Sequence, residues 1–70
     1  MMIENARFMT KYIKDKRVAE LFELDDRSGY IVRMIQDKVI KEDRVIKGKS
    51  IYYIVDTCEN WCEGIIDPWI

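Results

Sequence analysis

The chain has 70 residues, 12 of them basic and 13 acidic, with no histidine and a formal net charge of −1. This length fits a single small domain, residues 1–70, and excludes two-domain enzymes, dinucleotide-binding folds and barrels. Hydrophobic residues make up 49% of the chain and charged residues 36%, which predicts a folded, soluble core. A lone core of this size is marginally stable, so we expect support from a cysteine bridge, a metal or a partner subunit.

No segment has the composition of a targeting or membrane-spanning sequence. Residues 1–17 carry five basic side chains and no apolar run of the length found in secretory signals. No stretch approaches the roughly 18 apolar residues that a membrane span needs. We therefore expect a cytoplasmic protein without membrane contact, in which Cys58 and Cys62 are reduced thiols.

The N-terminal part of the chain is compatible with two kinds of structure. The apolar spacing over residues 8–13 fits a short helix, and the same run fits a β-strand. We favour the strand because threonine, tyrosine and isoleucine prefer it and because Asp15-Lys16 supplies a turn after it.

Three further runs have the composition of β-strands joined by short turns. They are residues 17–24, 30–36 and 39–47. The cluster 25–29 between the first two is typical of a turn, and Gly29 is free to adopt a positive φ there. Consecutive strands with such short connections predict an antiparallel meander.

The middle one of these three strands is apolar on both faces. Tyr30, Val32 and Met34 point to one side, and Ile31 and Ile35 point to the other. One helix can cover only one face, so the other is expected to meet the N-terminal segment, another subunit or a ligand. This surplus of apolar surface predicts a homo-oligomer.

Ser50 begins the last element, an amphipathic helix over residues 51–63. Serine is a favoured N-cap residue, Gly64 is placed to end the helix, and Pro68 prevents its continuation. At about 100° per residue, the apolar side chains of this segment fall within an arc of about 120°. They are Ile51, Ile54, Val55, Cys58, Trp61, Cys62 and Ile65. The sequence therefore predicts an α+β fold, with an antiparallel meander of three to four strands and a C-terminal helix packed on one face.

The other side of the helix carries Tyr52, Asp56, Glu59 and Glu63, a set that we call the acidic stripe. Its carboxylates repel one another by about 0.2–0.5 kcal/mol per pair, and the helix dipole disfavours Glu63. The acidic stripe therefore does not stabilise the helix. Two interpretations remain open: a solvated face, or a partner-binding surface with Tyr52 as its aromatic anchor.

No residue pattern indicates catalysis, a cofactor or a metal. The absence of histidine excludes Ser–His and Cys–His nucleophilic pairs. Cys58 and Cys62 lie four residues apart on the apolar helix face, so we expect core packing, and they supply only half of a thiolate metal site. We therefore expect no enzyme activity, no catalytic site, no cofactor and no metal.

A basic cluster surrounds the strand 39–47 and offers a further alternative. Its members are Lys38, Lys41, Arg44, Lys47 and Lys49. With Tyr30 stacking on a base, this hairpin is compatible with weak binding of single-stranded nucleic acid. Lysine on an edge strand also guards against aggregation, and the net charge is slightly negative, so we favour no nucleic-acid partner.

The C-terminal run 65–70 is unusually apolar for the end of a chain. We expect Trp69 and Ile70 either to fold back on the sheet or to contact a partner. The candidate partner-binding residues are therefore Tyr52, Asp56, Glu59, Glu63 and Trp69.

The order of these elements resembles that of small accessory proteins of tailed bacteriophages. The matching residues are Ala19-Glu20-Leu21-Phe22, Gly29-Tyr30-Ile31-Val32-Arg33, Ser50 with Tyr53, and Glu59-Asn60-Trp61-Cys62-Glu63-Gly64-Ile65. The resemblance covers residues 17–65 and carries over no site residues. It implies a phage origin, action inside the infected cell and a non-enzymatic role such as the modulation of a host protein.

We therefore predict a non-enzymatic protein-binding module, a phage-encoded modulator or inhibitor of a host protein that acts through the acidic stripe. The alternatives are a small homo-oligomeric structural protein, such as a homodimer, and a weak binder of single-stranded nucleic acid.

Overall fold

The computed structural model describes residues 3–67, which form four β-strands followed by one helix. The elements are β1 (Ala6–Lys14), β2 (Arg17–Leu24), β3 (Gly29–Gln36), β4 (Val39–Lys47) and α1 (Ile51–Cys62). The strands lie in chain order in a single sheet, and each is antiparallel to the next. This arrangement confirms the predicted α+β meander with a C-terminal helix, and it shows that the N-terminal run is a strand.

The turn between β2 and β3 differs from the prediction in the role of its glycine. Arg27, not Gly29, takes the left-handed conformation, with a φ of 61°. Asp26 holds this turn because its carboxylate accepts a hydrogen bond of 2.9 Å from the backbone N–H of Ser28. Gly29 begins β3, where a Cβ atom would lie 2.4 Å from the carbonyl oxygen of Ile46 on β4. Glycine is therefore required by a close backbone approach and not by its freedom in φ.

The main hydrophobic core lies between α1 and one face of the sheet. Its buried residues are Ala19, Leu21, Val32, Met34, Ile46, Ile54, Cys58 and Trp61. Trp61 is fully buried, and its indole Nε1–H donates a hydrogen bond of 2.9 Å to the carbonyl oxygen of Val18. The guanidinium of Arg17 stacks 4.1 Å from the centre of the same ring. These contacts hold the C-terminal half of α1 against β2.

Backbone hydrogen bonds of the Schellman type end the helix at the predicted glycine. Gly64 has a φ of 79°, and its N–H donates to the carbonyl of Trp61 at 3.1 Å. The N–H of Ile65 donates to the carbonyl of Asn60 at 2.9 Å. Because the chain leaves the helix here, Ile65 does not continue the apolar arc of the helix and is 69% exposed. Thr57 is buried instead and donates its hydroxyl hydrogen to the carbonyl of Tyr53.

A smaller apolar cluster of Ala6, Phe22 and Ile31 lies on the opposite face of the sheet, where Ile3 and Leu24 pack against it. The helix does not cover this face. The N-terminal segment covers little of it, because residues 6–14 extend the sheet as an edge strand.

Candidate functional site

The acidic stripe runs along the solvent side of α1. The ring of Tyr52 is 83% exposed, and the carboxylates of Asp56, Glu59 and Glu63 are exposed in line with it. Their spacing confines the four side chains to an arc of about 60° around the helix axis. The structure therefore brings four of the five predicted partner-binding residues onto one surface. The fifth, Trp69, lies outside the described residues.

Two carboxylates of the acidic stripe have no cationic partner within residues 3–67. No basic side chain in that range lies within ion-pair distance of Asp56 or Glu59. Glu63 differs, because the ammonium of Lys14 on β1 donates a hydrogen bond to its carboxylate. That hydrogen bond, with the attraction between the two charges, raises the pKa of Lys14. The uncompensated negative charge of the stripe is therefore centred on Asp56 and Glu59.

The two neighbouring tyrosines at the start of α1 have different surroundings. The ring of Tyr53 is half-exposed, and the ammonium of Lys49 lies 5.2 Å from its centre. Tyr52 has no such ring contact within the described part of the chain. A tyrosine held by a helix offers a large contact area at a small cost in side-chain entropy. Tyr52 is therefore free to act as an anchor for a partner.

A groove separates the acidic stripe from the edge strand β1. Tyr12 and Lys14 line it on the strand side, and Glu59 and Glu63 line it on the helix side. Burial raises the pKa of Tyr12, and the nearby Cys58 and Glu59 raise it further. The phenol hydroxyl adds a hydrogen-bond donor to this wall of the groove.

Both cysteines are free thiols packed at the helix–sheet interface. Cys58 is fully buried, and the thiol of Cys62 donates a hydrogen bond of 3.4 Å to the carbonyl of Tyr12. Burial raises the pKa of Cys58 from 9.0 to about 12, and the neighbouring Cys62 and Glu59 add to this shift. The predicted role of both residues in packing is confirmed.

We expect Cys58 to resist alkylation by iodoacetamide at pH 8 in the folded protein, because the reactive species is the thiolate and burial suppresses it. Between pH 9.0 and about 12 the unfolded chain releases this proton while the folded chain retains it, so the free energy of unfolding falls as the pH rises. Mass spectrometry of peptides alkylated at increasing urea concentrations tests whether Cys58 is protected in the folded protein. Labelling of Cys58 at the same rate with and without urea would contradict it.

The basic cluster predicted around β4 does not form one surface. Arg44 is buried on the helix side of the sheet, where it donates two hydrogen bonds, of 2.8 and 3.2 Å, to the carboxylate of Glu42. It donates a further hydrogen bond of 3.2 Å to the carbonyl of Asp67. Tyr30 is half-buried against the main core. Arg44 is therefore not exposed and the ring of Tyr30 is only partly accessible, so two of the residues named for the nucleic-acid alternative are not presented on a common surface.

A second surface, on the side of the sheet away from α1, was not predicted as an ordered pattern. Strand pairing aligns its side chains in three rows that each cross all four strands, and we call this surface the open face. The first row is apolar and contains Phe8, Phe22, Ile31 and Val45. The second row is charged and contains Lys11, Glu20, Arg33 and Asp43. The third row is apolar and contains Ile13, Val18, Ile35 and Ile40.

The charged row is partly neutralised within the sheet. The guanidinium of Arg33 donates two hydrogen bonds, of 2.8 and 3.1 Å, to the carboxylate of Asp43 and lies 5.7 Å from the ring centre of Phe22. The hydrogen bonding to Asp43 raises the pKa of Arg33, and the charge of Glu20 contributes in the same direction. No sequence spacing indicates this row, because its members lie on four strands and meet only through the strand register.

No family model, curated protein or solved structure matches this chain. Among residues 3–67, no helix is both long enough and apolar enough to cross a membrane. The same range contains no group of three or more His, Cys, Asp or Glu side chains that could hold a metal ion.

Proposed function

We propose that the protein is a non-enzymatic protein-binding module that contacts a basic surface of its partner through the acidic stripe. The observation that carries this proposal is the alignment of the exposed ring of Tyr52 with Asp56 and Glu59 on one side of α1. The two carboxylates have no ion-pair partner within residues 3–67. Exposed aromatic residues are typical anchors of protein interfaces. Unpaired carboxylates around such an anchor attract and orient a cationic partner.

The rigidity of α1 supports the same proposal. Ser50 caps the first turn by accepting a hydrogen bond from the N–H of Tyr53, and Trp61 is locked into the core near the other end. The stripe is therefore presented by a helix held at both ends. A surface that is ordered before binding loses less conformational entropy when the complex forms.

The resemblance to phage accessory proteins leads us to propose the setting of this interaction. The partner is a host protein in the cytoplasm of an infected bacterium, and the module modulates or inhibits it by occupying its surface. The side chains of the stripe supply charge and contact area, which suit occupation of a surface.

We expect the double reversal Asp56→Lys with Glu59→Lys to weaken partner binding tenfold or more, because it turns attraction into repulsion at the centre of the stripe. Tyr52→Ala should weaken binding by about tenfold while leaving the helix intact, since alanine is the best helix former. The tagged protein is used to capture its partner from bacterial lysate, and the partner is then purified and titrated by calorimetry against each variant.

The matched control is the double reversal Glu4→Lys with Asp25→Lys, because both residues are exposed and lie off the helix. It changes the net charge by the same amount as the reversal in the acidic stripe. We expect this control to bind like the original protein. Equal loss of binding in both reversal variants would show that binding depends on the net charge and not on the acidic stripe. A captured partner that binds all variants equally would exclude the acidic stripe as the binding site.

A further inference from the structure

The open face has large apolar side chains at its four corners. The exposed fractions of these side chains are 47% for Phe8, 61% for Ile13, 46% for Ile40 and 53% for Val45. They occupy the ends of the two apolar rows, on the edge strands β1 and β4. Exposed apolar groups clustered on one face mark an interaction surface, and a partner that covers the charged row between them must carry charges of the opposite sign.

The charges of the middle row are self-complementary when two copies stack face to face in one particular orientation. From β1 to β4 the row reads plus, minus, plus, minus at Lys11, Glu20, Arg33 and Asp43. A twofold axis that runs parallel to the strands, between two stacked copies, reverses the row. Lys11 then faces Asp43 of the second copy, and Glu20 faces Arg33, so every facing pair has opposite charges.

Other ways of pairing two copies are disfavoured. A twofold axis perpendicular to the strands would place each charge of the row opposite the same charge in the second copy. Edge-to-edge pairing, in which an outer strand of one copy extends the sheet of the other, is disfavoured by bulges on both outer strands. These bulges lie at Met9 on β1 and at Lys41 on β4. Such bulges interrupt the ladder that an added strand would need.

We propose that the open face binds a second copy of this chain, forming a face-to-face dimer whose twofold axis is parallel to the strands. Each apolar row then faces its own reverse, so Phe8 meets Val45 and Ile13 meets Ile40 of the second copy. Arg33 is already buried and paired with Asp43, so stacking does not leave it without a counter-ion.

The size of the face limits the area that this dimer can bury. A sheet of four strands of eight or nine residues measures about 19 by 28 Å. Stacking two such faces buries on the order of 1,000 Å² in total, at the lower end of specific interfaces. We therefore expect a dimer that dissociates on dilution. Because α1 lies on the other side of the sheet, the dimer presents two acidic stripes outward, and the inference does not depend on the function proposed for them.

Reciprocal substitutions at the third row test both the face and the axis. Sedimentation equilibrium of the original protein should show an average mass that rises with concentration from 8.4 kDa towards twice that value. Ile13→Glu and Ile40→Lys should each raise the dissociation constant at least tenfold, because each introduces two charges opposite isoleucines. An equimolar mixture should recover dimers, since the new carboxylate of one copy faces the new ammonium of the other. With one variant isotopically labelled, native mass spectrometry distinguishes the mixed dimer from the two homodimers.

Both positions are exposed on edge strands, so each variant should keep the circular dichroism spectrum of the original protein. The pair Asp56→Lys with Glu59→Lys on α1 is the control, and it should dimerise normally. A purely monomeric protein at millimolar concentration would overturn the proposal, as would dimers unaffected by the single substitutions. Weakened single variants whose mixture recovers no dimer would exclude the proposed axis, because only this axis places Ile13 opposite Ile40.

Discussion

Trp61→Ala is expected to unfold the protein at 25 °C. The indole is fully buried between α1 and the sheet. The substitution also removes its hydrogen bond to the carbonyl of Val18 and its stacking contact with the guanidinium of Arg17. Replacing a buried tryptophan with alanine costs about 3–5 kcal/mol, and a domain of this size rarely holds more than that in total. Circular dichroism should show the loss of the helix and sheet signals.

Trp61→Phe separates the loss of packing from the loss of the hydrogen bond. Phenylalanine keeps most of the apolar volume but leaves the carbonyl of Val18 without its donor, at a cost of about 1–3 kcal/mol. We expect this variant to remain folded with a lower urea midpoint. Tyr52→Ala is the control, since a fully exposed position should change the free energy of unfolding by about 0.5 kcal/mol or less. A Trp61→Ala variant with an unchanged urea transition would contradict the importance of this contact.

The second large effect is expected at the buried ion pair of Glu42 and Arg44. Their side chains are only 8% and 7% exposed, and they join through two hydrogen bonds on the helix side of β4. Glu42→Leu alone should lower the free energy of unfolding by about 3–5 kcal/mol, because it removes the carboxylate that accepts two hydrogen bonds from the buried Arg44 guanidinium. Urea denaturation measures this change, with trimethylamine N-oxide added if the variant is largely unfolded.

The double variant Glu42→Leu with Arg44→Met should recover most of that loss, since two apolar side chains need no counter-ion. The coupling free energy between the two sites is obtained from the double-mutant cycle. Lys16→Ala, which removes a solvent-exposed pair with Asp37, is the control and should cost about 1 kcal/mol or less. Equal effects of Glu42→Leu and Lys16→Ala would contradict the cost assigned to burial.

The fold was largely predictable because its elements are marked by local patterns. The run 17–24 and the strand Arg17–Leu24 coincide, and Ser50 and Gly64 mark the helix ends as expected. The N-terminal run was ambiguous, because its residues fit both periods. Pairing with β2 decides it, since Tyr12 lies opposite Ala19 and thereby joins the helix side of the sheet.

The acidic stripe was predictable for the same reason, because helical spacing alone places Tyr52, Asp56 and Glu59 on one side of α1. The partner of Glu63 was not predictable. Lys14 lies 49 residues away and reaches it only because β1 runs beside the C-terminal end of α1. The structural role of Gly29 was also missed, since it depends on how closely β4 approaches β3.

The sequence by itself determined the strands, the helix and the solvent face of that helix, because periodicity, caps and turn residues act over a few neighbouring positions. Only the tertiary structure decided that Arg44 is buried and that Lys11, Glu20, Arg33 and Asp43 form one alternating row. These features depend on strand register and on packing between distant segments. A shift of one residue in the register of any one strand would move the side chain that this strand contributes to the row to the other face of the sheet.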